Sequence, residues 1–169
     1  MRNLMKIVAV LLFVVATVTV SAQTPKFGHI DLQGLVQVMP ERTTAEASFN
    51  TFQTELEEIL AEMQKNYQTK LTELEQLGED VSEIKRNAKI GELQDIQQRT
   101  QQYTQTAQGQ LQQKQAELLK PVYDKAQAAI EEVAKENGLL YVFEANSLLF
   151  KSNESVDVLP LVKTKLGIQ

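Results

Sequence analysis

Few side chains in this sequence are equipped for chemistry. His29 is the only histidine, and it stands two residues from Asp31 in Phe27-Gly28-His29-Ile30-Asp31-Leu32. That stretch alternates apolar and polar residues, which suits a short strand exposed on one face. On such a strand His29 and Asp31 share a face, so the carboxylate could orient the imidazole. No serine stands in a recognisable nucleophile context, however, and His29 reads as an ordinary strand-face histidine. One histidine and no cysteine leave no donor set for a transition metal. There is no glycine-rich phosphate loop. Asp and Glu number 22 but are scattered along helical faces, so no pair stands out as acid and base. Asn153-Glu154-Ser155 fits a glycosylation sequon, a pattern short enough to recur by chance. Lys85, Arg86 and Lys89 form the one basic cluster, readable as a solvated helix start or as a weak contact for an anionic group such as a lipid headgroup. Nothing here points to an enzyme, a cofactor or a metal.

The remaining resource is weak apolar contact, and the chain is organised to carry it. From about Thr43 to Asn137 it is rich in Gln, Glu, Ala and Leu, with no proline before Pro121. In the first half apolar residues run Phe49, Phe52, Leu56, Ile59, Met63, Tyr67, Leu71, Leu74. In the second the stripe runs Leu93, Ile96, Thr100, Tyr103, Ala107, Leu111, Lys114, Leu118, Val122, with Thr100 and Lys114 as polar members. Alternating steps of three and four put one narrow stripe along each helix. So thin a stripe cannot be buried by one helix alone, and two halves joined by a short turn can bury it against each other. Glutamines such as Gln101, Gln105 and Gln112 make the solvated face.

Boundaries follow from capping signals. Thr43 and Glu46 fit a capping box, which starts the first long helix near Thr44. Gly78 is placed to close it after Leu77, giving about 34 residues and about 50 Å. Glu79-Asp80-Val81 is the tip, Ser82 caps the second helix, and that helix runs from Glu83 to Asn137 with a kink expected near Pro121. Beyond Pro121 the broader stripe of Val122, Ala126, Ala129, Ile130 and Val133 suits packing on a body. Before the helices, Gln33 to Met39 makes a helical turn or two, stopped at Pro40. After Gly138, Leu139–Phe143 and Leu148–Phe150 read as a hairpin of two strands. Asp157 caps a last short helix with Pro160 in its first turn, its apolar side made by Val158, Leu159, Leu161, Val162 and Leu166.

The fold class is therefore α+β and mostly α, with a small β-sheet body from which a long antiparallel coiled-coil hairpin projects. Residues 23–44 and 120–169 form the body and 45–119 the hairpin. Residues 1–22 read as a cleavable secretory signal peptide: Arg2 and Lys6, the apolar run Ile7–Val18, then Val20-Ser21-Ala22. Export without stable membrane insertion is expected, since the run is short for a span of about 20 residues. Losing Arg2 and Lys6, with no acid among those residues, takes the net charge from −5 to −7. So acidic a chain is a poor ligand for nucleic acid. A body with so few strands has exposed edges and a small core, which predicts self-association.

The order of elements, with Lys26-Phe27-Gly28-His29-Ile30-Asp31 in the first strand and Tyr141-Val142-Phe143-Glu144-Ala145-Asn146 in the second, resembles the Skp/OmpH family of periplasmic chaperones. The resemblance implies a homotrimer whose strands join into one body, with three helical hairpins hanging as tentacles around a cavity. It implies that the cavity holds unfolded outer-membrane proteins and keeps them from aggregating on the way to the outer membrane, without ATP. Phe27, Ile30, Tyr141, Phe143 and Leu149 are then the candidates for the trimer body. Familiar members are basic whereas this mature chain is acidic, and Lys85, Arg86, Lys89 and Arg99 match the family's basic region only loosely. On physical grounds a holdase needs apolar residues off the hairpin seam, and Leu60, Leu77, Val81, Ile84 and Ile90 are the client-contact candidates; each also reads as ordinary exposed or locally packed apolar surface. A structural, scaffolding coiled-coil protein of the cell envelope is the alternative reading.

Overall fold

A computed structural model describes residues 25–168. The signal-peptide reading of residues 1–22 lies outside them. In order the elements are β1 (Lys26–Ile30), α1 (Leu32–Val38), α2 (Pro40–Glu75), α3 (Glu83–Glu136), β2 (Leu139–Glu144), a 3-10 turn (Ala145–Ser147), β3 (Val156–Asp157) and α4 (Leu159–Lys165).

Asp31 starts α1: its carboxylate accepts from the Gly34 amide at 2.8 Å, supplying a partner for a first-turn donor. Pro40 does stop α1, but it also begins α2, standing at the first helical position where its missing amide costs nothing. The long helix thus starts earlier than the expected Thr44, and Thr43 lies inside it. The capping box does not form; Glu46 takes Arg42 as its partner one turn back, at 2.8 Å. At the other end α2 stops at Glu75, and Gly78 does not adopt the left-handed conformation expected of it. Among the described residues only Gly138 and Gly167 have positive φ. Gly138, at +63°, closes α3 as its position predicts. α3 runs 54 residues and is continuous through Pro121, which lies on its exposed side.

The sheet corrects the expected strand hairpin. Its order is β2-β1-β3, and β1 pairs parallel with both neighbours. Leu148–Phe150 is not a strand; the third strand is Val156–Asp157, where Asp157 is expected from sequence to cap the last helix. The physical reason lies at Glu144. Its carboxylate accepts from the Leu32 amide at 3.1 Å and from the Asn146 amide at 3.4 Å, so the chain turns at Ala145 instead of doubling back beside β2. β1 and β2 can run parallel because the two long helices lie between them in the chain and supply the crossover. Asp157 belongs to β3, and Val158 holds the cap position of α4; the Asp157 carboxylate still accepts from the Leu159 amide at 3.0 Å.

The sheet has a buried face and an open one. Gly28 and Ile30 face the core, and a Cβ on Gly28 would come within 2.8 Å of Leu139 Cδ1. A bulge between Lys26 and Phe27 lets Leu139 and Val142 both reach that face. The core itself joins Ile30, Leu35, Val36 and Met39 to Val122, Ala126, Ala129 and Val133 of α3 and to Val158 and Val162 near the C-terminus. The broader stripe of α3 beyond Pro121 is therefore buried against the sheet and short helices. Of the apolar side expected for α4, Leu159 and Leu166 pack on this core and Leu161 stays exposed.

Candidate functional site

Two surfaces bring exposed apolar groups together: the paired long helices and the open face of the sheet. Along the helices three contacts fix the register. Lys125 of α3 holds Glu41 in the first turn of α2; the Tyr103 hydroxyl donates to the Leu56 carbonyl at 3.3 Å; and Lys89 Nζ meets Glu73 at 3.0 Å. The seam residues from Phe49 to Leu74 and from Leu93 to Val122 are buried or half-buried, with Ile59 the one left exposed.

Both polar members of the seam are satisfied locally. The Thr100 hydroxyl donates to the Ile96 carbonyl of its own helix at 2.8 Å, so no hydroxyl is left unpaired between the helices. Lys114 lays its ammonium over the Phe52 ring, 5.9 Å from the centroid, and ion-pairs with Glu117 at 3.2 Å. At mid-length an open groove of 580 Å³ lies between the helices, with Tyr67, Gln97 and Thr100 in its lining. The pair is thus held by a thin seam with a polar gap in its middle.

Near the turn the basic cluster is largely spoken for. Lys89 bridges Glu73 and Glu92, and the Arg86 guanidinium donates to the Gly78 carbonyl at 3.3 Å. Lys85 alone of the three has no partner among the described residues. Hydrogen bonds from Lys89 first and Lys70 second hold the Glu73 carboxyl below its ordinary range, and Glu73 in turn raises Lys89. The contribution of Glu73 is present above the ordinary carboxylate range and lost as pH falls through its lowered value; that of Lys89 is present below the ordinary lysine range and lost as pH rises through its raised value. Across the neutral range the bridge is intact, and being partly open to solvent it weakens with salt.

The client-contact candidates are scattered over this pair of helices. Ile84 is 84% exposed and Ile90 37%. Leu77 and Val81 are half-buried in the turn. Leu60 lies between the helices, in a hollow with Leu56, Tyr103 and Leu111.

On the open sheet face Phe27, Tyr141 and Phe143 meet as one cluster. The Phe27 and Tyr141 rings stack at 6.3 Å, and Phe143 lies 6.3 Å from the first and 5.9 Å from the second. Each is 40–58% exposed, so the rings shield one another only in part. Leu149 and Phe150 stand almost wholly free in the following loop. Ile30, by contrast, belongs to this chain's own core.

The acid-Ala-Asn segment at the end of β2 has a structural role that its sequence does not reveal. Asn146 Nδ2 donates to Asp31 Oδ1 at 3.1 Å and to Glu144 Oε1 at 3.3 Å, while Glu144 also receives the Leu32 amide. These bonds stitch the end of β2 to the start of α1, across more than a hundred residues of sequence. Glu144→Ala leaves the Leu32 amide without its partner, and a loss of about 1–3 kcal/mol is expected in urea unfolding.

His29 is also more than a strand-face histidine. Its side chain lies on the open face but is only 5% exposed, with Ser155 and Lys151 on its two ring nitrogens at 2.9 Å each. The Ser155 hydroxyl of the sequon is therefore engaged inside the fold. Among the described residues no group of three or more His, Cys, Asp or Glu could hold a metal, and no helix is long and apolar enough to cross a membrane.

One comparison identifies a family and another a fold. The sequence profile of OmpH, described as outer membrane protein (OmpH-like), matches residues 26–166. No curated protein matches the chain. A crystal structure from Caulobacter crescentus CB15, described as a candidate outer membrane chaperone (OmpH-like), superposes with a TM-score of 0.73 at 14% identity, covering 86% of each chain. At that identity the likeness shows the fold.

Proposed function

The chain belongs to the OmpH-like outer membrane protein family, and on that premise we propose that it is an ATP-independent holdase chaperone of the periplasm. Its clients are unfolded outer-membrane proteins, which it keeps from aggregating on their way to the outer membrane. Residues 1–22 direct export and are removed, so the mature chain begins at Gln23; N-terminal sequencing of the periplasmic fraction checks this.

The two long helices form an antiparallel coiled-coil tentacle over residues 45–119. What supports this is the order of the cross-helix contacts, in which Glu41, Leu56 and Glu73 meet Lys125, Tyr103 and Lys89 in turn. The body, residues 23–44 and 120–169, makes the homotrimer. Its support is the half-exposed cluster of Phe27, Tyr141 and Phe143 beside the unpaired outer edge of β2. Leu149, wholly exposed in the loop after β2, is a further candidate for that contact.

One observation carries the reading: a projection tens of residues long whose buried seam is narrow and which leaves Ile59, Ile84 and Ile90 in solvent. Such a surface offers many weak contacts without a closed pocket, which suits a client that has no fixed shape. Ile84 and Ile90, with Leu77 and Val81, are the contacts nearest the turn. Any contact with anionic lipid falls to Lys85, because Arg86 and Lys89 have partners within the chain.

The test is dilution of a urea-unfolded β-barrel protein into buffer with the mature chain and no nucleotide. Light scattering is expected to stay near the protein-free baseline. Scattering equal to that of the client alone would favour a scaffolding role instead.

A further inference from the structure

His29 is held in a way that works in only one protonation state. Lys151 Nζ is 2.9 Å from His29 Nε2, and an ammonium can only donate, so Nε2 must be the acceptor. The ring proton then sits on Nδ1, which donates to Ser155 Oγ at 2.9 Å. Among the described residues these two bonds are the only side-chain hydrogen bonds tying the loop Leu148–Ser155 to the sheet. The loop's other bonds are local, from the Leu148 amide to Ala145 and from the Ser155 and Glu154 amides to Ser152.

The loop and the open sheet face enclose a hollow of 730 Å³, with Phe27, Phe143, Phe150 and Lys151 in its lining. Where the loop sits therefore decides how much of the aromatic face meets solvent and where Phe150 points.

We propose that His29 is a proton-operated latch: the neutral ring pins the loop through Lys151 and Ser155, and protonation releases it. A proton on Nε2 turns the acceptor into a donor and sets a second cation against Lys151. The ring is buried, so water does not reach it to solvate the added charge, although Lys151 itself is exposed.

The carboxylates around the ring are committed elsewhere. Asp157, in register with His29 on β3, accepts from the Leu159 amide. Asp31, two residues along β1, accepts from Gly34 and Asn146. Glu144, beyond Phe143 on β2, accepts from Leu32 and Asn146. Glu154 in the loop is exposed. Lys151 is thus the one charged group hydrogen-bonded to the ring, and no carboxylate is hydrogen-bonded there to offset an imidazolium.

His29 is the chain's one histidine, so no other imidazole contributes to the response. The test is hydrogen exchange of the mature chain at about pH 7.5 and about pH 5.5, corrected for intrinsic rates, read in peptides spanning Leu148–Ser155. Exchange there is expected to quicken roughly tenfold or more on acidification, the size of losing a hydrogen bond to a charged group, while β1 and α3 stay protected. Lys151→Gln is the control, since an amide can donate to the neutral ring and accept from the protonated one. It should keep the loop protected at both pH values without touching the buried ring. A wild-type loop indifferent to pH would overturn the latch, and so would equal quickening in Lys151→Gln. Neither reading depends on client binding or on the number of subunits.

Discussion

If the body assembles as proposed, replacing Phe27, Tyr141 and Phe143 together by serine is expected to leave a folded monomer in place of the trimer. The three rings lie on the sheet face opposite Gly28 and Ile30, so the core of each subunit is untouched. Each ring is about half exposed, so its burial between subunits contributes about 1 kcal/mol, half the value for a fully buried side chain. Three such losses weaken association roughly a hundredfold per subunit. Sedimentation at micromolar concentration reads the mass, and circular dichroism checks that the helices persist. A triple variant that still sediments as a trimer would place the subunit contacts elsewhere.

The second large effect concerns the long helices. Replacing residues 50–115 by a short glycine-containing turn should remove client protection while leaving assembly intact. The core contacts of the body come from Ile30, Leu35–Met39, Ala45, Val122–Val133 and Val158–Val162, all outside the replaced stretch. Within that stretch the helices are buried chiefly against each other, through Leu56, Leu93 and Ile96. The narrow seam, its polar gap at Thr100 and the half-exposed Glu73–Lys89 bridge are expected to make the distal half the low-stability part of the molecule. That compliance suits clients of different size.

What the sequence disclosed was the part carried by period and by glycine and proline. The seam was legible because each helix repeats one stripe many times, and Gly138 because a left-handed residue ends a helix in a recognisable context. One step of the seam was read wrongly. Leu56 to Met63 can be spanned through residue 59 or 60, and period does not choose; Leu60 took the inner place and Ile59 stayed out. The body was harder, because its strands are short and their partners lie far away in sequence. Nothing near Leu148–Phe150 reveals that Glu144 has turned the chain by bonding the Leu32 amide. His29 likewise reads as a surface residue until Lys151 and Ser155, more than 120 residues later, are brought over it. The capping box at Thr43 failed because Pro40 had already opened the helix, a case of two start signals close together in which the proline prevailed.

The division of labour between body and tentacle is the centre of this account, and the shortened chain tests it most directly. It is to be compared with the full mature chain by sedimentation and by light scattering of a diluted, urea-unfolded β-barrel protein without nucleotide. The expected result is a trimer that lets the client aggregate as it does alone. A shortened trimer that protected the client as well as the full chain would contradict the tentacle mechanism, and a shortened chain unable to assemble would contradict the division itself.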